Sequence, residues 1–387
     1  MMAQSDQLDA IQVLLLTSQL ASTAGGLAVS VPGLAFSLDK FDDIDTHVMG
    51  TLDPAEPYAT AAWGPRAHAF PVKGPRSGHY APGLKKAIAE LNPDLVDVQG
   101  LWTYPSLASL QYARLTGKPY MVTPRGMLDP WARQNSALKK KLAAWAFQSA
   151  HLRGAVCLRA TAEMEALHFR TAGLKNPIAI VPNGIELPEL LVRKHHDLKS
   201  ILFLSRIHPK KGVEYLLNAW SALNNTFPDW EVIIAGIDEN GHENQLKRMV
   251  ADQRLPRVRF VGPVHGQAKQ QLYRDASLFV LPTHAENFGL VVAEALAQEV
   301  PVITTKNAPW QGLHKHDCGW WVDLNQQSLN DTLRNAMLLP GEARVQMGQR
   351  GRKWVNADFG VQQVADRMRS VYWWAAGFGA RPDCIFD

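Results

Sequence analysis

Short apolar runs rich in Val, Ile and Leu alternate with stretches of helical periodicity along nearly the whole chain. In the first half, IQVLLLT (11–17), LVDVQ (95–99), PYMVT (119–123), AVCLRA (155–160) and PIAIVP (177–182) read as strands. Helical stretches near 83–91, 105–116, 136–150 and 162–172 separate them. The series then restarts with SILFLS (200–205), EVIIAG (231–236), RVRFVG (257–262), SLFVLP (277–282) and VPVITT (300–305), again with helices between. Apolar, β-branched runs without polar alternation suit strands buried on both faces, and their alternation with helices predicts a covered parallel sheet. Two such series predict two Rossmann-like domains. The seam is expected in ELPELLVRKHHDLKS (186–200), where proline and charge replace periodicity.

Composition agrees with this division. A chain of 387 residues with 46% hydrophobic and 20% charged positions is long enough for two cores. No apolar run approaches the roughly 18–20 residues of a membrane span. The opening MMAQSDQLDA lacks a basic segment followed by an apolar one, so no secretory signal is expected. Cys157, Cys318 and Cys384 are few and widely spaced, which suits the reducing cytoplasm better than a disulfide framework.

The net charge of +4 is unevenly spread, with fourteen Lys/Arg against four Asp/Glu from Arg66 to Arg159. That stretch is either a solvated basic face or a surface meeting something anionic, such as phospholipid headgroups or a phosphorylated acceptor. No recognised nucleic-acid-binding module accompanies it, so nucleic acid is not an expected partner.

Ligands of parallel α/β sheets sit beyond the carboxyl ends of the strands, so the segments just after each strand carry the candidate chemistry. After the first strand, Gly25 and Gly26 lack side chains where the chain turns into a helix, which lets backbone N–H groups approach an anion. This falls short of a full dinucleotide fingerprint and is equally a plain turn. After the sixth strand comes SRIHPKKG (205–212), where Arg206 and Lys211 stand beside a helix start. Two fixed cations there suit a diphosphate, the arginine forking two oxygens and the lysine acting as a point charge.

HAENFGLVVAEALAQEVPVITT (284–305) places Glu286 and Glu294 eight positions apart. With Asn287 as N-cap, a helix begins near Phe288, and the unpaired amides of Phe288, Gly289 and Leu290 favour a phosphate. Glu294 lies one turn beyond Leu290 and leans back toward that end. A carboxylate repels phosphate, so a ribose diol is its expected partner, and Glu286 is expected to accept hydrogen bonds from a sugar ring.

The pair Glu286/Glu294, preceded by SRIHPKKG and followed by VPVITT, resembles glycosyltransferase family 4, retaining nucleotide-sugar-dependent enzymes of the GT-B fold. The resemblance extends through IVPNGIEL (180–187), FVGPV (260–264) and CGWWV (318–322), and GLWTYPS (100–106) and TPRGMLDPW (123–131) resemble a bacterial surface-polysaccharide branch. It implies two Rossmann-like domains facing a cleft: residues 1–190 on the acceptor side, 191–362 holding the donor, and a helix in 363–387 crossing back to the first. Carried over by position, Arg206 and Lys211 hold the donor pyrophosphate, Glu294 the ribose and Glu286 the transferred sugar. Main-chain groups around Pro263 and Val264 line the base pocket, and Gly25 and Gly26 close over the phosphate from the other domain.

Two positions depart from the family. Arg125 and Gln99 stand where relatives often carry histidine, so no histidine general base is placed at either. Retention need not require one, because the departing diphosphate can take the acceptor proton. Arg125 is then expected to stabilise the leaving group.

Other signals are set aside. DDID (42–45) contains an Asp-x-Asp spacing but is expected to be a solvated loop, and the histidines form no convincing ligand set. Neither a metal nor a cofactor is expected. In NSALKKKLAAWAFQSAHLR (135–153), Leu138, Leu142, Trp145 and Leu152 recur at helical spacing beside Lys139, Lys140 and Lys141. This is either core packing or a helix at the acceptor rim in weak contact with an anionic membrane. The expected function is transfer of a sugar from a nucleotide diphosphate donor to a saccharide or lipid-linked acceptor in exopolysaccharide, capsule or lipopolysaccharide synthesis. The expected place is the cytoplasm, either free or peripheral at the inner membrane face. The rivals are a nucleotide-sugar epimerase of the same fold and a non-catalytic nucleotide-sugar-binding partner.

Overall fold

The computed structural model describes residues 10–56, 59–64, 66–129 and 147–387. They fall into two units: the chain up to Gly184 together with Val361–Asp387, and Ile185–Gly360. The division comes slightly before the expected 190/191 boundary because Ile185 already pairs with Gly360 and belongs to the second core.

In the first unit the strands are β1 (Ile11–Leu20), β2 (Ile44–Leu52), β3 (Ala67–Phe70), β4 (Leu95–Gln99), β5 (Tyr120–Thr123), β6 (Cys157–Ala160) and β7 (Ile178–Ile180). They form a sheet in the order β3-β2-β1-β4-β5-β6-β7, parallel throughout, with β14 (Ile385–Phe386) added antiparallel at the β7 edge. Strand alternation divides the core between the two faces. Ile11, Val13 and Leu15 meet the helices Leu27–Leu38 and Val361–Ala375, while Leu14 and Leu16 meet Pro82–Leu91 and Tyr104–Thr116. Arg369 on the last helix pairs with Asp43 at 2.5 Å, and Tyr372 donates to the buried Asp97 at 2.7 Å.

DDID is therefore only partly the solvated loop expected. β2 begins inside it at Ile44, and Asp45 accepts from Gln12 and pairs with His47 and Arg66. The expected helix 136–150, with Leu138, Leu142, Trp145 and the three lysines, lies outside the described residues except for its end, and residues 147–154 are helical.

In the second unit the strands are β8 (Lys199–Leu204), β9 (Trp230–Ala235), β10 (Val258–Gly262), β11 (Leu278–Leu281), β12 (Val302–Thr305) and β13 (Gly319–Val322). Their order is β10-β9-β8-β11-β12-β13, all parallel. Counted from β8 this is 3-2-1-4-5-6, the Rossmann order, in which the direction of sheet growth reverses between the first and fourth strands. Helices Val213–Leu223, His242–Asp252, Gly266–Asp275, Leu290–Ala297 and Gln326–Leu338 cover it. The strand centres are apolar, with Ile201, Phe203, Val232, Ile234, Phe279 and Val302 all buried. The switch point thus lies between β8 and β11, the two strands that precede SRIHPKKG and HAENFG.

Candidate donor-binding site

The loops beyond β8 and β11 are held together largely through the main chain. Lys210 O accepts the amide of His284 at 2.8 Å and the Thr283 hydroxyl at 3.1 Å. Gly212 opens the helix Val213–Leu223 at φ +66°, and a Cβ there would come within 2.1 Å of Pro282 O. The two loops can meet this closely only because that position has no side chain. Beyond them, Glu286 N donates to Asn307 O at 3.0 Å, which brings in the loop after β12.

Lys211 is almost buried, and its ammonium pairs with Glu286 across the crevice between these loops. Burial opposes the charge on Glu286, but Lys211 beside it, with Lys210 and Arg206 further off, holds the carboxyl below its usual range. The first expected carboxylate and the second expected cation are therefore in direct contact.

Arg206, at the start of the same loop, is largely exposed and pairs with Glu239 at 2.9 Å. Glu294 lies on the helix Leu290–Ala297, and its two oxygens accept from Lys269 Nζ at 2.7 Å and the Tyr273 hydroxyl at 2.9 Å. Burial and the neighbouring Glu294 push the Tyr273 phenol well above its ordinary value, so it remains a donor.

The helix start differs from expectation. The helix begins at Leu290, its N-cap is Gly289 at φ +80°, and Asn287 and Phe288 precede it. Placing the cap at Asn287 gives too little weight to the glycine, the residue that takes a left-handed conformation most freely. The Phe288 carbonyl instead accepts from Trp310 Nε1 at 2.5 Å, and the Phe288 ring packs on Trp310 and Phe359. The amides of Leu290 and Val291 are the first-turn groups that precede any acceptor within the helix. Pro263 is exposed just beyond β10, and Val264 half-covers the core beside it.

The remaining expected residues lie in the first unit. Gly25 and Gly26 form the turn between a short 3₁₀ segment, Ser22–Ala24, and the helix Leu27–Leu38. Arg125 follows β5 at φ +58°. Its guanidinium donates to Gln99 Oε1 at 2.9 and 2.5 Å and to Asn183 Oδ1. The two departures from the histidine pattern thus contact each other. Desolvation, then repulsion from Arg159, lowers the Arg125 pKa to about 9, which leaves it cationic at neutral pH.

The sequence pattern does not single out Glu239, Lys269 or Tyr273. Lys269 and Tyr273 are four apart and so share a helix face, the one available signal, but their contact with Glu294 is made across two helices.

A switch-point crevice lined by cations, helix-start amides and two carboxylates is the form of site that holds a phosphorylated nucleotide in this class of sheet. Residues 192–354 match the family described as Glycosyl transferases group 1, and residues 25–184 match the Glycosyl transferase 4-like domain. The chain belongs to this glycosyltransferase family, with one match falling in each unit. It is 27% identical over 238 residues to the phosphatidyl-myo-inositol mannosyltransferase of Mycobacterium tuberculosis, covering 56% of this chain and 59% of that protein. The alignment therefore spans little more than half of that relative. Among solved structures, sucrose-phosphate synthase from Thermosynechococcus elongatus is similar at a TM-score of 0.77 and 20% identity, covering 94% of this chain and 98% of that one. HepE from Anabaena in complex with UDP follows at 0.75 and 17%, covering 94% and 99%. These are glycosyltransferases of the two-domain GT-B fold, and this chain shares it.

Proposed function

We propose that the protein transfers a sugar, with retention, from a nucleotide diphosphate sugar to a saccharide or lipid-linked saccharide in bacterial surface-polysaccharide synthesis. The observation that carries this reading is the Lys211–Glu286 pair at the switch point, with Glu294 on the adjoining helix. In this reading Arg206, Lys211 and the amides of Leu290 and Val291 meet the pyrophosphate. Glu294 accepts from the ribose hydroxyls while Lys269 and Tyr273 fix its orientation, Glu286 accepts from hydroxyls of the sugar, and the backbone near Pro263 and Val264 meets the base. As the bond from the sugar to the phosphate oxygen breaks, charge grows on that oxygen. The nearby cations stabilise it, and the same oxygen can take the acceptor hydroxyl's proton.

Because side chains and a helix end neutralise the diphosphate in this account, no metal is required. The epimerase reading needs acid and base groups around the sugar beyond those placed here, and hydrolysis of the donor without acceptor separates the transferase from a binding partner.

The test is a thermal-shift screen over UDP, GDP, ADP and their sugar conjugates, followed by hydrolysis of the best conjugate with and without EDTA. A ligand at a hundredfold excess over its dissociation constant stabilises by about 2.7 kcal/mol, which such a screen detects. One nucleotide family is expected to stabilise, and its conjugate to be hydrolysed in EDTA. Loss of turnover in EDTA that magnesium or manganese restores would remove the metal-free account. A free epimer as product would favour the epimerase.

A further inference from the structure

Three carboxylates stand against the cations of this site, and the proposed function gives work to two. Glu239 has none. It sits on the loop after β9, and that loop is tied to the one after β8: Ile207 N donates to Ile237 O at 2.8 Å, and Glu239 N to Ile207 O at 3.1 Å. The tie sets the Glu239 carboxylate against Arg206, where both oxygens accept from one guanidinium nitrogen at 2.9 and 3.2 Å. Unlike the Lys211–Glu286 pair, this one faces solvent, with 58% of the Arg206 side chain and 37% of the Glu239 side chain exposed.

We propose that Glu239 competes with the nucleotide's diphosphate for Arg206, yielding the cation to the donor and recapturing it to speed release of the nucleoside diphosphate. This rests on the nucleotide reading of the site. The argument is one of charge. Breaking the glycosyl–phosphate bond frees a phosphate oxygen, and once the proton it takes from the acceptor passes to solvent, the product carries more negative charge than the donor and holds the site's cations harder. A carboxylate already poised on the exposed cation opposes that gain. Lys211 cannot serve in this way, because its ammonium is buried against Glu286. An exposed ion pair is weak, corresponding to a factor of about five at most, so the donor can displace it.

The experiment measures affinity and dissociation rate for UDP, GDP and ADP in the full-length wild type, Glu239→Gln, Glu239→Asp, Arg206→Ala and the Glu239→Gln/Arg206→Ala double variant. Glu239→Gln is expected to bind the preferred nucleotide about two- to fivefold more tightly and release it correspondingly more slowly. High salt, which screens exposed charges, is expected to close the gap, and Glu239→Asp to behave as the wild type. In the Arg206→Ala background, Glu239→Gln is expected to change nothing. Equal or weaker binding by Glu239→Gln overturns the proposal, as does an undiminished gain without Arg206, since Glu239 would then act by its own field. If the wild type binds none of the three nucleotides, the nucleotide reading falls and takes this proposal with it.

Discussion

Arg206 and Lys211 share one loop, yet they differ in what losing them should do. The Lys211 ammonium lies buried against Glu286, so its removal strands a carboxylate away from water, a change that destabilises the fold as well as the site. Arg206 is largely exposed, and its removal should act almost wholly on binding. Arg206→Ala and Glu294→Ala are expected to weaken nucleotide diphosphate affinity by about ten- to hundredfold, the usual cost of a charge-assisted hydrogen bond. Glu286→Ala is expected mainly to lower turnover, because its partner in the donor is the sugar. Calorimetric titration of the three variants checks this, and unchanged affinity in Glu294→Ala would overturn the ribose placement. Residue type and spacing are enough to make Glu286, Glu294, Arg206 and Lys211 legible in the sequence. Glu239, Lys269 and Tyr273 are not legible there, because their contacts join positions between 21 and 33 residues apart through tertiary packing.

Elements differ in how plainly they announce themselves. Both-face-buried strands such as β1, β9 and β11 stand out as apolar runs. β3 (AHAF) has no β-branched residue and β13 (GWWV) only its last, and β2 (IDTHVMGTL) interleaves polar residues, so they fall outside the runs read as strands. Helix ends are harder still, since Gly289 capping depends on a backbone conformation rather than on a side chain. The helical residues 147–154 carry a consequence of packing that periodicity does not show. Gln148 accepts from the amide of Trp102 at 2.8 Å and bonds His151 Nδ1 at 2.9 Å, while His151 Nε2 meets Ser109 Oγ at 3.0 Å. Burial lowers the His151 pKa from the ordinary 6.5 to about 3. A depressed folded pKa gives stability that is full above 6.5 and is lost as pH falls toward 3, because the unfolded chain takes up the proton first. Melting temperature is therefore expected to drop with acidification across this window, and less steeply in His151→Gln. Parallel acid profiles for the two proteins would assign the loss to other groups.

At the scale of the whole molecule, a count of charges proves a poorer guide than their positions. The fourteen cations between Arg66 and Arg159 suggest a broad basic surface. Yet Arg159 is buried, donating to the carbonyls of Val181 and Pro182, and Arg125 is bound to Gln99 and Asn183. Arg66 pairs with Asp39 and Asp45, Lys118 with Asp94, and Lys86 with Glu90. Lys73, Arg76, Lys85 and Arg114 are exposed without a carboxylate partner among the described residues, while Lys139, Lys140 and Lys141 lie outside them. No helix of the described residues is long and apolar enough to cross a membrane. A lipid-linked acceptor, as proposed, would bring such charges against an anionic surface. Each basic residue near an anionic surface contributes about 1 kcal/mol, which predicts reversible docking that salt abolishes. Sedimentation with anionic liposomes is expected at low salt, with release at high salt. Changing Lys139, Lys140 and Lys141 together to glutamine should weaken it while leaving nucleotide affinity intact. A wild-type protein that stays in the supernatant at low salt would instead make the basic stretch a solvated face and point to a soluble saccharide acceptor.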